Sequence, residues 1–281
     1  MIQGNNRGKI KQPPAAEVIK YVIEPSISAE EAERSFQNYV QCNKAHVLML
    51  EKQGIIKTDV AAKILEVAEE MTAMGDTPSF PLRPELEEMY FNMENYLISK
   101  VGIEVGGQQH TARSRNDLYA TVCRMDVRKL YLEICRLYNE MRKTIETVAR
   151  NNTDAVMAGY THLQPSEPIT FAQYCSAILN GMSRDYTRIE NAWNQLNLCP
   201  LGGGSMGSTT WSIDRNFTSD LLGFNAPLGN SIDAVGSRDY ILEILSAFGI
   251  AANTFTRLCQ DLYVWATPDY GYVEVADEVA V

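Results

Sequence analysis

With 281 residues, 45% of them hydrophobic and 21% charged, the chain carries enough apolar material for a large buried core and too little charge bias for a disordered polypeptide. Twenty-five basic against 35 acidic residues give a formal net charge of -10, which argues against nucleic acid as a partner, because phosphate-backbone affinity rests on surplus Lys and Arg. The length fits one or two domains. Cys42, Cys123, Cys135, Cys175, Cys199 and Cys259 form no CxxC pair, so reduced thiols in a cytoplasmic protein are expected. The start, MIQGNNRGKIKQPP, has no apolar run. The most apolar late stretch, Ile241 to Phe255, is interrupted by Glu243 and reads as too short to span a bilayer, so no membrane segment is expected.

After the basic, Pro-containing start (Lys9, Lys11, Pro13, Pro14), residues 29–53 place apolar positions at helical spacing, and Ser28 with Glu31 has the form of a capping box. A second helix is predicted from Thr58 to Met74, capped by Thr58 and stopped by Gly75. Pro78, Pro81 and Pro84 then forbid regular structure until a helix restarts near Glu85. Residues 1–105 thus read as a small N-terminal helical domain, and 106–281 as a central domain of long helices. From Asn116 to Arg150 there is no Pro or Gly, and apolar residues recur three to five apart, which predicts a helix roughly 50 Å long. Comparable Pro-free patterns cover 170–198 and 234–265. Few strand signals and three long helices predict an all-α, elongated bundle. The apolar positions spread too broadly for one coiled-coil seam, so several neighbours are expected, some from other subunits. No helix-stop signal closes Tyr272 to Val281, and the chain is expected to be part of a longer working polypeptide.

Two polar clusters stand where long helices begin. In Gly106-Gly-Gln-Gln-His-Thr-Ala-Arg-Ser-Arg-Asn-Asp117, Ser114 and Asn116 are N-cap types, and the helix N-terminus with Arg113 and Arg115 makes a pocket for a carboxylate. An ordinary capped helix with two solvated arginines is the alternative. The second cluster, Met157 to Phe171, offers Thr161, His162 and Gln164, then Pro165, Pro168 and Thr170 as a cap. His162 sits in a polar, Pro-rigidified turn where an imidazole could move protons; His46 and His110 lack that setting. The Gly-rich run 200–210 has no Gly-Lys-Ser/Thr ending and follows a helix, so it reads as close backbone approach instead of a phosphate loop. Asn230 to Asp239 sets Asn, Ser and Arg at another helix start. No histidines pair at metal-ligand spacing and no Cys/His cluster occurs, so no metal is expected.

His110-Thr-Ala-Arg-Ser-Arg-Asn-Asp117 and Gly159-Tyr-Thr-His-Leu-Gln-Pro-Ser-Glu-Pro-Ile-Thr-Phe171 resemble the first two signature regions of the argininosuccinate lyase family, within the fumarase/aspartase superfamily. Residues 200–215 and 221–240 are similar to its Pro-Leu-Gly turn and Asn-Ser-x-Asp-Ala-Val segment. The resemblance runs from about residue 30 to the end. It implies the fumarase/aspartase type of long-helix bundle and a homotetramer in which three subunits build each active site. It also implies cofactor-free elimination that releases fumarate from an N-substituted aspartate, a small dicarboxylate, through an aci-carboxylate carbanion. Ser114, Arg115, Asn116, Thr161 and Gln164 would hold the substrate, and His162 would support proton transfer near the leaving nitrogen. Fixed donors and cations suit two adjacent negative charges.

Several positions depart from the family. Its third signature, a loop carrying the Ser that takes the carbon-bound proton, is not among these residues. Cys42-Asn43 stands where Gly-Ser is usual, and Glu88 and Tyr90 replace Asp and His. Asn43 and Glu88 belong to the region that receives the amino-acid half of the substrate, so an amine other than arginine, as in an aminopolycarboxylate, is one alternative. An inactive, crystallin-like structural or partner subunit is the other.

Overall fold

The computed structural model describes residues 13–280; Lys9 and Lys11 of the basic start, and the terminal Val281, lie outside them. Residues 16–26 wind helically. Helix α1 spans Ala29–Lys52, with the Ser28 side chain accepting from the Glu31 N–H as the capping box requires. Helix α2, Thr58–Ala73, departs from expectation at its start: Lys57 is the cap residue and contributes no side-chain bond, while the Thr58 hydroxyl donates to Glu51. The next helix begins later than Glu85. A single 3-10 turn, Pro84–Leu86, comes first, and α3 covers Met89–Val101.

Helix α4 runs from Arg115 to Asn151, 37 residues, about 55 Å at the α-helical rise. A hairpin follows, β1 Val156–Thr161 against β2 Gln164–Thr170. Then come α5, Phe171–Leu196, and β3, Leu198–Cys199. After these lie α6, Arg215–Leu221, and β4, Ala226–Pro227, which is parallel to β3. The helix predicted over 234–265 is divided. Helix α7, Ser231–Gly236, ends where Ser237 turns extended at ψ 140°, and α8, Asp239–Trp265, starts afresh. The all-α class holds, since the strands described are short.

The described residues form two compact units, each assembled from two stretches of sequence: those up to residue 129 with 197–237, and 130–196 with those from residue 238 onward. In the first, one core joins Phe36, Val40, Val47 and Leu50 of α1, Ile64 of α2 and Met89, Met93 and Leu97 of α3. Leu118 and Val122 of α4 complete it with Cys199, Leu201 and Phe224. In the second, α4, α5 and α8 pack side by side. Tyr131 meets Trp193 and Phe248 at centroid distances of 5.4 and 6.1 Å, and Tyr138 meets Phe255 at 5.5 Å. Burying such rings supplies much of the packing energy of a helical layer.

Helix α4 carries two apolar stripes within the second unit. Tyr131, Tyr138, Ile145 and Ala149 are buried, whereas Leu130, Ile134, Leu137, Met141 and Val148 are exposed, Leu130 at 61%. Leu242, Leu245 and Tyr263 of α8 are exposed as well. Helix α8 has 27 residues and is, by length and composition alone, apolar enough to cross a membrane. That corrects the reading of 241–255 as too short: the helix extends well past Phe255.

Candidate active site

The first polar cluster is organised around a carboxylate. Asp117 is fully buried. Its Oδ1 accepts the backbone N–H of Ser114 (3.0 Å) and of Leu118 (3.0 Å), and its Oδ2 accepts those of Gly202 (2.9 Å) and Gly204 (3.0 Å). Burial pushes its pKa up, and these donors pull against that rise. Ser114 answers by accepting from the Asn116 N–H at 3.3 Å, a reciprocal cap of the capping-box type. The glycine run is therefore a close backbone approach, as expected. Gly202 sits at φ +88°, where an added Cβ would meet Arg215 Cγ at 2.8 Å. Asp117 was given no separate role from sequence; Ser114 with Asp117 three residues on is the signal that points to it.

Around this turn lie the other candidates of the first unit. Arg115 donates to Glu88 at 2.8 Å and lies 3.6 Å from Glu87, and its guanidinium stands 4.6 Å from the Phe91 ring centre. Glu87 occupies the left-handed region at φ 67°. Asn43 is buried and accepts from Arg113 at 2.8 Å. Arg113, itself 8% exposed, leaves Nε and Nη1 without partners, so a buried cation with free donors adjoins Asn43. Asn116 is exposed. The structure thus brings Asn43, Glu88, Ser114, Arg115 and Asn116 into one unit around one helix start.

Two histidines join the region. His46 is buried and donates from Nε2 to the Thr111 carbonyl at 2.9 Å; burial, then Arg113, hold its pKa well below the ordinary value. His110 Nδ1 lies 2.7 Å from the Tyr90 hydroxyl, which donates to Glu94 at 2.9 Å. The single phenol proton goes to the carboxylate, so Nδ1–H of a neutral His110 donates to Tyr90. Burial and the charges of Arg113 and Arg115 lower the His110 pKa to about 4.

Thr161, His162 and Gln164 belong to the second unit, at the tip of the hairpin, and all three are exposed. His162 and Leu163 form the two-residue turn at φ 53° and 59°, the conformation of a type I′ loop. Neither is glycine, so the tip stores backbone strain of about 1–3 kcal/mol per residue. The hairpin replaces the Pro-rigidified turn of the sequence reading. Pro165 and Pro168 pair with Tyr160 and Ala158; in a two-stranded sheet each strand has an open edge, where a missing N–H is tolerated. Thr170 caps α5 by accepting from the Gln173 N–H at 3.1 Å. Among the described residues no group of three or more His, Cys, Asp or Glu could hold a metal.

A family model described as lyase matches residues 23–280. Argininosuccinate lyase 1 of Shouchella clausii is 45% identical over 98% of this chain and 55% of its own length. Argininosuccinate lyase of Methanocaldococcus jannaschii is 36% identical over 97% of this chain and 55% of its own length. The chain therefore spans about half the length of the curated relatives it matches. Among solved structures, an EDDS lyase variant with bound fumarate aligns with TM-score 0.77 at 28% identity, over 94% of this chain and 52% of that one. Class II fumarase from Schistosoma mansoni shares the fold, with TM-score 0.68 at 15% identity over 84% of this chain and 58% of that one. Matched along nearly its whole length by the family model and by these relatives, the chain belongs to the lyase family.

Proposed function

We propose that the protein is a carbon–nitrogen lyase that releases fumarate from an N-substituted aspartate. The observation that carries this reading is the Asp117-centred helix start, which presents Ser114, Arg115 and Asn116 together in a chain 45% identical to an argininosuccinate lyase. In the reaction a base takes the proton from the carbon beside a carboxylate, and the electron pair spreads into that carboxylate. The pair then forms the C=C bond as the C–N bond breaks, and the nitrogen leaves with its electrons and takes a proton. Arg115 and the positive end of the α4 dipole meet the growing negative charge. Thr161 and Gln164 orient the substrate, and His162 supports proton transfer at the departing nitrogen.

The working form is a cytoplasmic homotetramer without a cofactor, in which different subunits supply the α4 start and the hairpin. The exposed stripe of Leu130, Ile134, Leu137 and Met141 supports association, since a stripe so apolar requires cover. The 45% identity to an argininosuccinate lyase favours arginine as the amine; Asn43 and Glu88, engaged with Arg113 and Arg115, and the 28% identical EDDS lyase variant give weaker support to the alternative of another amine.

The test follows fumarate by ultraviolet absorbance, using the protein at its natural length with argininosuccinate and other N-substituted aspartates. His162→Asn is expected to lower the rate about a hundredfold or more. A loss of about tenfold or less would make His162 a packing residue. Efficient cleavage of argininosuccinate would remove the altered-amine reading.

A further inference from the structure

The hairpin that carries Thr161 and His162 is poorly equipped to hold its own shape. It has two strands, a pairing irregularity between Ala158 and Tyr160, and prolines at two paired positions of β2. Its turn residues both lie at positive φ. An isolated two-stranded hairpin is marginal in water, and a strained turn persists only where its surroundings over-determine it.

The surroundings come from the segment after α8. There the chain folds back: the N–H groups of Tyr272 and Val273 donate to the Trp265 carbonyl at 3.0 and 3.3 Å. Trp265 is buried against Phe171 and Tyr174, so the segment is tied to the base of α5. From this anchor two tyrosines reach the hairpin. Tyr270 and Tyr272 meet the Tyr160 ring edge-on, at centroid distances of 5.2 and 6.2 Å, and the Tyr160 and Tyr272 hydroxyls lie 3.0 Å apart. Tyr272 and Val273 also share a cavity of about 460 Å³ with Val156 and Met157 of β1. The segment therefore grips the hairpin at its base and again at the residue preceding Thr161.

We propose that Tyr272, with Tyr270, is a positioning residue for the lyase reaction, clasping Tyr160 so that Thr161 and His162 are held in the geometry turnover needs. This rests on the fumarate-releasing reading above. Tyr272 touches no reacting atom in it. Its removal leaves the site's chemical groups in place and loosens the frame that carries two of them, so the expected signature is a loss in kcat with KM nearly unchanged.

The test uses the protein at its natural length as wild type, Tyr272→Phe, Tyr272→Leu and Tyr272→Ala. Leu keeps apolar bulk over the cavity should Ala fail to fold. Two readouts are taken: backbone hydrogen exchange of peptides covering 155–170, and kcat and KM for fumarate release. Tyr272→Leu and Tyr272→Ala are expected to speed hairpin exchange and lower kcat about tenfold each, the scale of losing aromatic pairs, with KM within about twofold on the same scale. Tyr272→Phe keeps both rings and is expected to restore kcat to within about threefold, as the loss of one exposed hydrogen bond allows. Unchanged exchange in Tyr272→Leu overturns the clasp. Faster exchange with wild-type kcat overturns its role in turnover. A wild-type protein that releases fumarate from no N-substituted aspartate overturns the lyase reading and the positioning role with it, while the exchange data would separately report whether the clasp exists.

Discussion

Asp117→Asn is the substitution that most directly probes how the anion-binding turn is built. The carboxylate serves four backbone donors, two on each oxygen, and an amide serves only one such oxygen. Whichever way the Asn lies, its NH2 faces two N–H groups: Ser114 and Leu118, or Gly202 and Gly204. Each charge-assisted bond is worth about 1.5–3 kcal/mol. Against the loss of two stands the relief of no longer burying a charge, a cost visible in the raised pKa of Asp117. The balance leaves about 2–4 kcal/mol of destabilisation, increased by leaving the buried Arg113 without the opposite charge it faces. At a urea slope of about 2–3 kcal/mol per M, the unfolding midpoint should fall by about 1 M. Exchange at the Gly202 and Gly204 amides should quicken with it. A midpoint within about 0.2 M of wild type, with those amides still slow, would refute the assignment of Asp117 as the post that holds Ser114 to Asn116 in place.

Three further outcomes are expected. Arg115→Ala should weaken succinate or fumarate binding by about 1.5–3 kcal/mol by calorimetry; Glu88→Gln, which removes a carboxylate already seated on that guanidinium, should instead tighten it about two- to fivefold, and weaker binding in Glu88→Gln would show that Glu88 orients Arg115 and does not compete for it. Stability should fall as pH drops from 6.5 towards 4, because His110 is held neutral with its pKa lowered to about 4 and the unfolded chain takes up the proton first. The slope is at most about 1.4 kcal/mol per pH unit for one histidine, with His46 acting in the same direction. Denaturant titrations at pH 7, 6 and 5 that show no slope, or the same slope in His110→Gln, would contradict this.

What sequence determined alone was largely local. Long Pro-free periodicity dictated α4 and α5, and the side chains of Ser28, Thr170 and Asn230 cap their helices as the residue types require, because a cap bond closes within three residues. Local chemistry misjudged Thr58, whose hydroxyl turns to Glu51, and the break at Ser237, which only Gly236 at the end of α7 marks in the sequence. The hairpin was illegible for a related reason: Pro165 and Pro168 argue against a strand, and only the open edges of a two-stranded sheet accommodate them. Tertiary structure alone decided the rest. Asp117 takes half its donors from glycines 85 and 87 residues away, and Tyr160 is gripped from 112 residues away. The two apolar stripes of α4 have the same period, and only packing against α5 and α8 selects the one that is buried. Contacts across such distances depend on which helices lie side by side, a choice that no spacing within a single helix encodes.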